Sequence, residues 1–281
     1  MKIALVTCER PIERDDDVDF LMPALARNGV AVETPGWSDP SVDWGSFAVA
    51  MLSSTWDYHE RPDDFRRWLR SAARTTRLLN PLRLVEWNLD KRYLRELAEA
   101  GVPTIPTVWC ELGGAARAAA EIERNGWQDV VIKPVVDLGA RNLVRVAAEL
   151  VPQMLERFPA ATMAQPFLRS VAEEGELSLV YLGGELSHAL VKHPARGDFR
   201  VQPQYGGTHV AAEAPAEAIE IAAAALEAAP GDPLYARVDL LRGEGGRLAL
   251  IELELIEPAL YLDVAPASAP RLARALLAAA A

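Results

Sequence analysis

The sequence predicts an α/β protein that begins with a small parallel sheet and continues as α+β subdomains. Short apolar strands alternate with helices up to about residue 85, which is the order of a parallel α/β unit. From Met163 onward the strands are joined as hairpins, and the two-residue turn Gly183-Gly184 is the clearest example. A chain of 281 residues has room for three small domains. We place them at residues 1–85, 86–165 and 166–281.

The individual elements follow from periodicity and from glycine and proline signals. Apolar runs predict strands at 2–8, 30–34, 47–53, 129–136 and 143–146, and helical spacing predicts helices at 18–28 and 62–75. A further helix should begin at Asn88 as its cap and stop at Gly101 and Pro103. Two alanine-rich helices are expected at 218–229 and from Pro270 onward.

Composition narrows the function classes. The formal net charge is −11 and no basic run is present, which disfavours a nucleic-acid binder. The two cysteines, Cys8 and Cys110, form neither a disulfide pattern nor a zinc motif. The sequence shows neither a signal peptide nor an uncharged stretch of membrane-spanning length. We therefore expect a cytoplasmic protein without a membrane partner.

Four charged residues follow a strand-like spacing near the end of the chain. Arg237 and Asp239 are two residues apart, as are Glu252 and Glu254, so each pair lies on one face of its strand. A loop at 243–246 would place Arg237 opposite Glu252 and bring all four side chains to one face. Three converging carboxylates suit magnesium, a cation that prefers oxygen ligands. The alternative is a solvated strand face with a simple Arg–Glu pair.

Phosphate binding would have to rely on side chains, because neither a P-loop nor a dinucleotide fingerprint is present. Lys91, Lys133 and Lys192 lie at the ends of predicted elements, and Arg200 precedes Gly206-Gly207. A guanidinium beside flexible backbone is a good anion site. Each lysine, taken singly, also fits an ordinary surface position.

Taken together, these segments resemble the ATP-grasp superfamily. The motifs occur in the family's order: NLDKRYLRELAEAGVPTIPT, VVIKP, QPFL, GELSL, KHPARGDFRVQPQYGG, ARVDLL and IELELIEP. The chain resembles glutathione synthetases, D-alanine–D-alanine ligases and ribosomal-protein glutamate ligases. The stretches GWSDPSVDW, STWDYHERPDDF and ELELIEPALYL are more similar to the cyclo-ligase group of cycloserine biosynthesis. This resemblance implies an ATP-grasp fold, with a pre-ATP-grasp domain followed by two grasp subdomains.

The resemblance also implies residue roles. Arg200, Arg237 and Lys192 would act on the transferred phosphoryl group, and Asp239, Glu252 and Glu254 would ligate Mg²⁺. The residues implied to bind ATP are Lys91, Lys133, Gly139, Gln165, Pro166, Phe167, Leu168, Glu176 and Lys192. One segment departs from the family, because the loop VVDLGARNL contains only one glycine. Asp137 and Leu138 should weaken ATP binding there, so a non-catalytic ATP-grasp binding protein is an alternative.

The second substrate is expected between the N-terminal unit and the hairpins. Residues that follow a strand of an α/β sheet commonly meet ligands, and here these are Ser54, Thr55, Trp56, Asp57 and Tyr58. Asp57 would bind an ammonium group, while Trp56 and Tyr58 would form walls. The alternative for the two aromatic residues is the edge of a core.

The expected function is an ATP- and Mg²⁺-dependent carboxylate–amine ligase or cyclo-ligase that forms an acyl phosphate of a small amino-acid-like substrate. A protein-modifying amino-acid ligase is a further alternative. The expected partners are therefore a small-molecule carboxylate and amine, and a homodimer is left open.

Overall fold

The computed structural model describes residues 1–9 and 15–280. The N-terminal domain is a parallel sheet in the strand order β2-β1-β3-β4, flanked by helices, as predicted. Its central strands are continuous buried apolar runs, which is typical of a parallel sheet covered on both faces. The elements of the first 99 residues are β1 (Lys2–Thr7), α1 (Asp16–Ala26), β2 (Ala31–Glu33), β3 (Val49–Ser54), α2 (Pro62–Ala72), β4 (Arg77–Leu79), α3 (Leu82–Asn88) and α4 (Tyr93–Glu99).

The small subdomain is an antiparallel sheet with two helices packed on one face. Its strand order is β5-β8-β6-β7, and its core lies between the sheet and the helices. The elements are β5 (Val108–Cys110), α5 (Ala115–Arg124), β6 (Asp129–Pro134), β7 (Val144–Ala147), α6 (Val151–Leu155) and β8 (Thr162–Pro166).

The third unit is a five-stranded antiparallel sheet, which we call the large sheet, in the order β11-β10-β9-β12-β13. The Gly183-Gly184 turn is confirmed, and both glycines have positive φ, at 63° and 81°. The elements are α7 (Ser170–Glu173), β9 (Glu176–Leu182), β10 (Glu185–His193), β11 (Thr208–Ala212), α8 (Ala216–Ala228), β12 (Tyr235–Arg242), β13 (Leu248–Glu254) and α9 (Ala269–Ala280). Among residues 1–9 and 15–280, no helix is long and apolar enough to cross a membrane.

Packing across the three units differs from the sequence-based boundaries. Helix α4, assigned by sequence to the small subdomain, packs its Leu94 and Leu97 into the core of the large sheet. Helix α9 returns to the N-terminal domain, where Leu272 and Leu276 share a core with Leu5 of β1. The segment after about residue 256 therefore connects the large sheet to the N-terminal domain, which a linear division of the chain does not show.

Two buried asparagines join the N-terminal half to the large sheet. Asn80 donates from Nδ2 to the carbonyl oxygens of Tyr235 and Leu255, both at 2.8 Å, and its Oδ1 accepts from the Leu234 amide. Asn88 donates to the carbonyl of Leu253 at 2.8 Å. The prediction that Asn88 caps the start of a helix is wrong, because Asn88 is the last residue of α3 and bonds across to β13. Both asparagines therefore hold the large sheet against the N-terminal half of the chain.

The register of the β12–β13 hairpin also differs from prediction. Next to the loop, the two strands pair one residue away from the expected register. That shift alone would turn Glu252 and Glu254 to the opposite face of the sheet. A bulge beside Asp239 shifts the register by a second residue. As a result Arg237 lies opposite Glu254 and Asp239 opposite Glu252, whereas we expected Arg237 opposite Glu252. The predicted shared face is thus correct, but through two shifts that offset each other.

Candidate active site

One large cavity lies where the N-terminal domain, the small subdomain and the large sheet meet. Its volume is about 520 Å³, within the usual range for a small-molecule site. The lining includes every residue that the sequence assigned to ATP, namely Lys91, Lys133, Gly139, Gln165, Pro166, Phe167, Leu168, Glu176 and Lys192. Arg200, Arg237, Glu252 and Glu254 also line it, and Asp239 does not.

Glu252 holds two lysines of different subdomains together. Its carboxylate lies 2.9 Å from the Lys91 Nζ and 3.5 Å from the Lys133 Nζ, and both lysines are buried. Lys91 also donates to the carbonyl oxygen of Asp137 at 2.6 Å. Burial raises the pKa of Glu252, but the charges of Lys133 and Lys91 outweigh it and bring the pKa to about 2. Two ammonium groups are therefore fixed at the cavity wall by one ionised carboxylate.

A second ion-pair network lies deeper, on β9, β10 and β12. Asp239 accepts from the Arg237 Nε at 3.0 Å and from the Ser178 hydroxyl at 2.6 Å. The Lys192 Nζ lies 3.2 Å from Asp239 and 2.5 Å from Glu176. Burial raises the pKa of Asp239, yet Arg237 and Lys192 hold it well below its usual range. Asp239 thus anchors the two cations that reach the cavity.

The metal assignment is modified by these contacts. Among residues 1–9 and 15–280, no three His, Cys, Asp or Glu side chains are gathered as a metal cluster. Both oxygens of Asp239 are occupied by cationic partners, so its assignment as a direct ligand is not supported. Glu252 and Glu254 have side chains that are 25% exposed and face the cavity. These oxygen donors fit Mg²⁺, which commonly uses one or two carboxylates together with substrate phosphates.

Glu254 differs from Glu252 in its electrostatic surroundings. It pairs with Arg237, which also donates to the carbonyl of Ala259 at 2.9 Å. Burial is the largest influence on Glu254 and raises its pKa to about 7 despite that arginine. The arrival of a divalent cation would favour the ionised form of this carboxyl group.

The loop at 137–142 is held by a contact that the sequence did not predict. Asp137 is buried, and its carboxylate accepts from the backbone and side-chain nitrogens of Asn142, at 3.3 and 3.0 Å. The Asp137 carboxylate therefore joins the beginning of the loop to its end at Asn142. On the other side, Gln204 donates to the carbonyl of Gly139 at 3.2 Å, so the loop contacts the segment that follows Arg200. The sequence suggested that Asp137 repels the phosphates, whereas in the structure its carboxylate also holds together the loop that lines the cavity.

Arg200 is held at the opposite lip of the cavity. Asp198 accepts from its Nη2 at 2.7 Å and from its Nε at 3.1 Å. Its guanidinium also lies 3.6 Å from the ring centre of Tyr205. Asp198 and Tyr205 thus orient the Arg200 guanidinium, and Arg200 still lines the cavity.

The adenine-binding prediction corresponds to an apolar end of the cavity. Phe167 meets Phe199 edge to face at 5.8 Å, and Leu168 packs in the small cluster that includes Val171 and Leu241. Gln165 is buried and donates to the Thr107 hydroxyl at 3.0 Å. These side chains form an apolar and aromatic surface on which a flat ring can stack.

Of the five residues predicted to bind the second substrate, the structure brings two to the cavity. Trp56 and Tyr58 line it. Asp57 points away and accepts from the Trp37 indole at 2.6 Å, inside the N-terminal domain. Ser54 donates to the Thr7 hydroxyl, and Thr55 is fully buried. The positions of these side chains therefore give no support to an ammonium site at Asp57 or to direct substrate contacts by Ser54 and Thr55.

Several cavity residues were missed by sequence reasoning. Asp15 and Asp17 come from the start of α1, where Asp17 accepts from the Leu260 amide at 2.5 Å and from the Leu262 amide at 2.7 Å. Tyr261 lies between those amides with a positive φ of 50° and also lines the cavity. The sequence offers two signals for these residues, the acidic run at 15–17 and the segment IEPALYLD. The contact between these two segments depends on the tertiary fold, so the sequence alone does not reveal it.

Comparison with known proteins agrees with this geometry. The family model of the D-cycloserine synthetase DcsG N-terminal domain matches residues 3–80, and that of the prokaryotic glutathione synthetase ATP-grasp domain matches residues 116–234. Cycloserine biosynthesis protein DcsG of Streptomyces lavendulae is 34% identical over 295 residues, covering 98% of this chain and 97% of that protein.

Solved structures extend the comparison. The crystal structure of D-cycloserine synthetase DcsG gives a TM-score of 0.91 at 31% identity over 100% of both chains. D-Alanine–D-alanine ligase from Bacillus anthracis gives 0.74 at 15% identity, over 100% of this chain and 97% of that one, which shows the shared fold alone. The chain belongs to the DcsG family of ATP-grasp enzymes, and it is an ATP-dependent ligase.

Proposed function

We propose that this protein is an Mg²⁺-dependent carboxylate–amine ligase that activates a small amino-acid-like carboxylate as an acyl phosphate. The observation that carries the proposal is the convergence of four cationic side chains on one cavity: Lys91, Lys133, Lys192 and Arg237. Each is held by a carboxylate rather than left mobile. A triphosphate entering the cavity meets ammonium and guanidinium groups that are already positioned, and such preorganisation is the main source of catalysis in phosphoryl transfer.

The lysines are the proposed phosphate contacts. Glu252 neutralises Lys91 and Lys133 in the free protein, so phosphate oxygens would take over as partners of these ammonium groups. Mg²⁺, when bound by Glu252 and Glu254, supplies charge neutralisation for the phosphate oxygens. Arg237 keeps Asp239 and Glu254 in place from the floor of the cavity.

The proposed reaction has two steps. A substrate carboxylate oxygen forms a bond to the γ-phosphorus as the bond to the ADP oxygen breaks. The amine nitrogen then attacks the acyl carbon, inorganic phosphate leaves with the bonding electrons, and the amine loses a proton. Arg200 and Arg237, as fixed guanidinium groups at the cavity, would neutralise the charge that develops on the phosphoryl oxygens.

The relatives favour the intramolecular form of this chemistry. DcsG is named as a D-cycloserine synthetase, and closing the ring of cycloserine joins a carboxyl carbon to an aminooxy nitrogen of one molecule. We therefore propose that the substrate is an open-chain aminooxy amino acid, such as the one obtained by hydrolysing that ring. Trp56 and Tyr58, which line the cavity beside the N-terminal domain, would enclose it.

The test is ADP release with ATP, Mg²⁺ and this aminooxy amino acid, compared with a panel of standard amino acids. Hydroxylamine should trap the activated carboxyl group as a hydroxamate. Formation of AMP and pyrophosphate would exclude the acyl phosphate, and turnover that persists in excess chelator would exclude the metal requirement. ADP release with standard amino acids but without ring closure would keep the ligase and reject the cyclisation.

A further inference from the structure

One buried carboxylate in the cavity has no ion pair or hydrogen bond with another residue of the described chain. Glu257 is 5% exposed and lines the cavity, three residues beyond the end of β13. In residues 1–9 and 15–280, its side chain forms no ion pair and no hydrogen bond with another residue, and only its backbone carbonyl accepts one, from the Trp56 indole at 3.2 Å. A buried carboxylate left unpaired is costly, and structures normally provide it with a cation or several donors.

The contrast with the neighbouring carboxylates is sharp. Glu252 and Glu254, on the same segment, are each paired with a lysine or an arginine. Asp17 is occupied by two backbone amides. Burial, followed by the charge of Glu254, raises the pKa of Glu257 well above its usual range. An unpaired group of this kind gains more than its neighbours from an arriving cation, which also restores its ionised form.

The surroundings of Glu257 show what type of cation fits. Tyr58 is buried to 5% exposure and lines the same cavity, and its hydroxyl forms no hydrogen bond with any described residue. Burial raises the pKa of the Tyr58 hydroxyl well above its usual range, and the charge of Glu257 adds to that rise. Trp56 joins them through its bond to the Glu257 carbonyl. An acceptor between aromatic walls suits an organic ammonium group.

The N-terminal domain contributes further carboxylates to the cavity. In the described residues 1–9 and 15–80, the charged side chains that line it are Asp15, Asp16 and Asp17. A zwitterionic substrate would accordingly place its ammonium toward Glu257 and its carboxylate toward the lysines.

We infer that Glu257 is the residue that binds the ammonium group of the amino-acid substrate, with Trp56 and Tyr58 as the walls of that subsite. The inference rests on the proposed function, because it assumes an amino-acid-like substrate in this cavity. Glu257 thereby takes the role that the sequence had suggested for Asp57, whose carboxylate faces Trp37 instead. It is a specificity residue, and the phosphate-binding side chains are separate from it.

The test compares two ligands that differ only in the ammonium group. They are the open-chain aminooxy amino acid and 3-(aminooxy)propanoate, titrated by calorimetry into protein saturated with Mg²⁺ and a non-hydrolysable ATP analogue. Charge-assisted hydrogen bonds discriminate by roughly tenfold or more, so wild-type protein should prefer the amino acid by at least that factor. Glu257→Gln should remove the preference by weakening amino-acid binding, with binding of the propanoate and of the ATP analogue unchanged.

Two further variants make the result specific. Glu257→Asp keeps the charge and should retain part of the preference. Glu244→Gln, on the exposed loop of the β12–β13 hairpin, should behave as wild type. Since Glu257 stabilises no other residue, Glu257→Gln should unfold at no lower urea concentration than wild type, whereas a structural residue would show a loss.

The outcomes separate this inference from the proposed function. If Glu257→Gln keeps the preference, or if wild-type protein binds both ligands equally or neither, the inference is wrong. A variant that binds the amino acid normally but loses turnover at saturation would also overturn it, since that pattern belongs to a proton-transfer residue. The proposed function is judged separately, by ADP release from the wild-type protein across the amino-acid panel.

Discussion

Replacing Glu252 with glutamine tests how the cavity is held before ATP binds. The change removes the carboxylate that lies 2.9 Å from Lys91 and 3.5 Å from Lys133 and leaves two buried ammonium groups facing each other. Breaking a fully buried ion pair by removing one partner costs about 3–5 kcal/mol. The Glu252 side chain is 25% exposed, and Lys91 keeps its bond to the Asp137 carbonyl. We therefore expect a loss of about 2 kcal/mol in the free energy of unfolding.

Nucleotide should reverse most of that loss. Phosphate oxygens would supply the missing partners of both lysines, so the variant should gain more stability from ATP than wild type does. Urea unfolding with and without saturating ATP, in excess chelator, measures this difference directly. Steady-state ADP release with Mg²⁺ should meanwhile fall below detection, because glutamine is a poor replacement for a magnesium ligand.

The control is Glu185→Gln, which removes the exposed partner of Arg271. Exposed pairs contribute about 0–1 kcal/mol, so this variant should match wild type in both assays. The reasoning about Glu252 fails if its variant unfolds like wild type in the absence of ATP. It also fails if the loss is the same with and without ATP, or if full Mg²⁺-dependent turnover remains.

Three other predictions concern the loop, the domain junction and pH. Because Asp137 holds Asn142, the double variant with Asp137→Ser and Leu138→Gly should bind ATP more weakly by calorimetry. Asn142→Ala should shift binding in the same direction. Asn80→Ala removes three hydrogen bonds of 2.8 Å or less. It should lower the free energy of unfolding, measured in urea, by about 3 kcal/mol. A loss under about 1 kcal/mol would contradict this prediction. Burial raises the pKa of Asp17 from 3.8 to about 6, so its contribution to stability is complete below pH 4 and is lost as pH rises through 6. Stability should fall by up to about 3 kcal/mol across that window, and a pH titration of Asp17→Asn with an equally steep fall would refute the assignment.

Local rules allowed much of the fold to be predicted from the sequence. The parallel N-terminal unit follows from apolar runs alternating with helices, and the Gly183-Gly184 turn follows from the need for positive φ. The charged face of the β12–β13 hairpin follows from the two-residue period of a strand. Motif order selected nine residues as predicted contacts of ATP, and all nine line one cavity. Each of these depends on neighbours in sequence or on a pattern that the chain itself carries.

The tertiary structure decided what depends on distant partners. The register of the hairpin is set by a bulge that no two-residue pattern reveals. The direction of Asp57 depends on Trp37, and the position of Asn88 depends on its bond to β13. Glu257 enters the cavity because the segment after β13 returns to the N-terminal domain, where Trp56 binds its carbonyl. Residue type and spacing therefore predicted which chemical groups were present, whereas packing between separate units determined which side chains line the cavity.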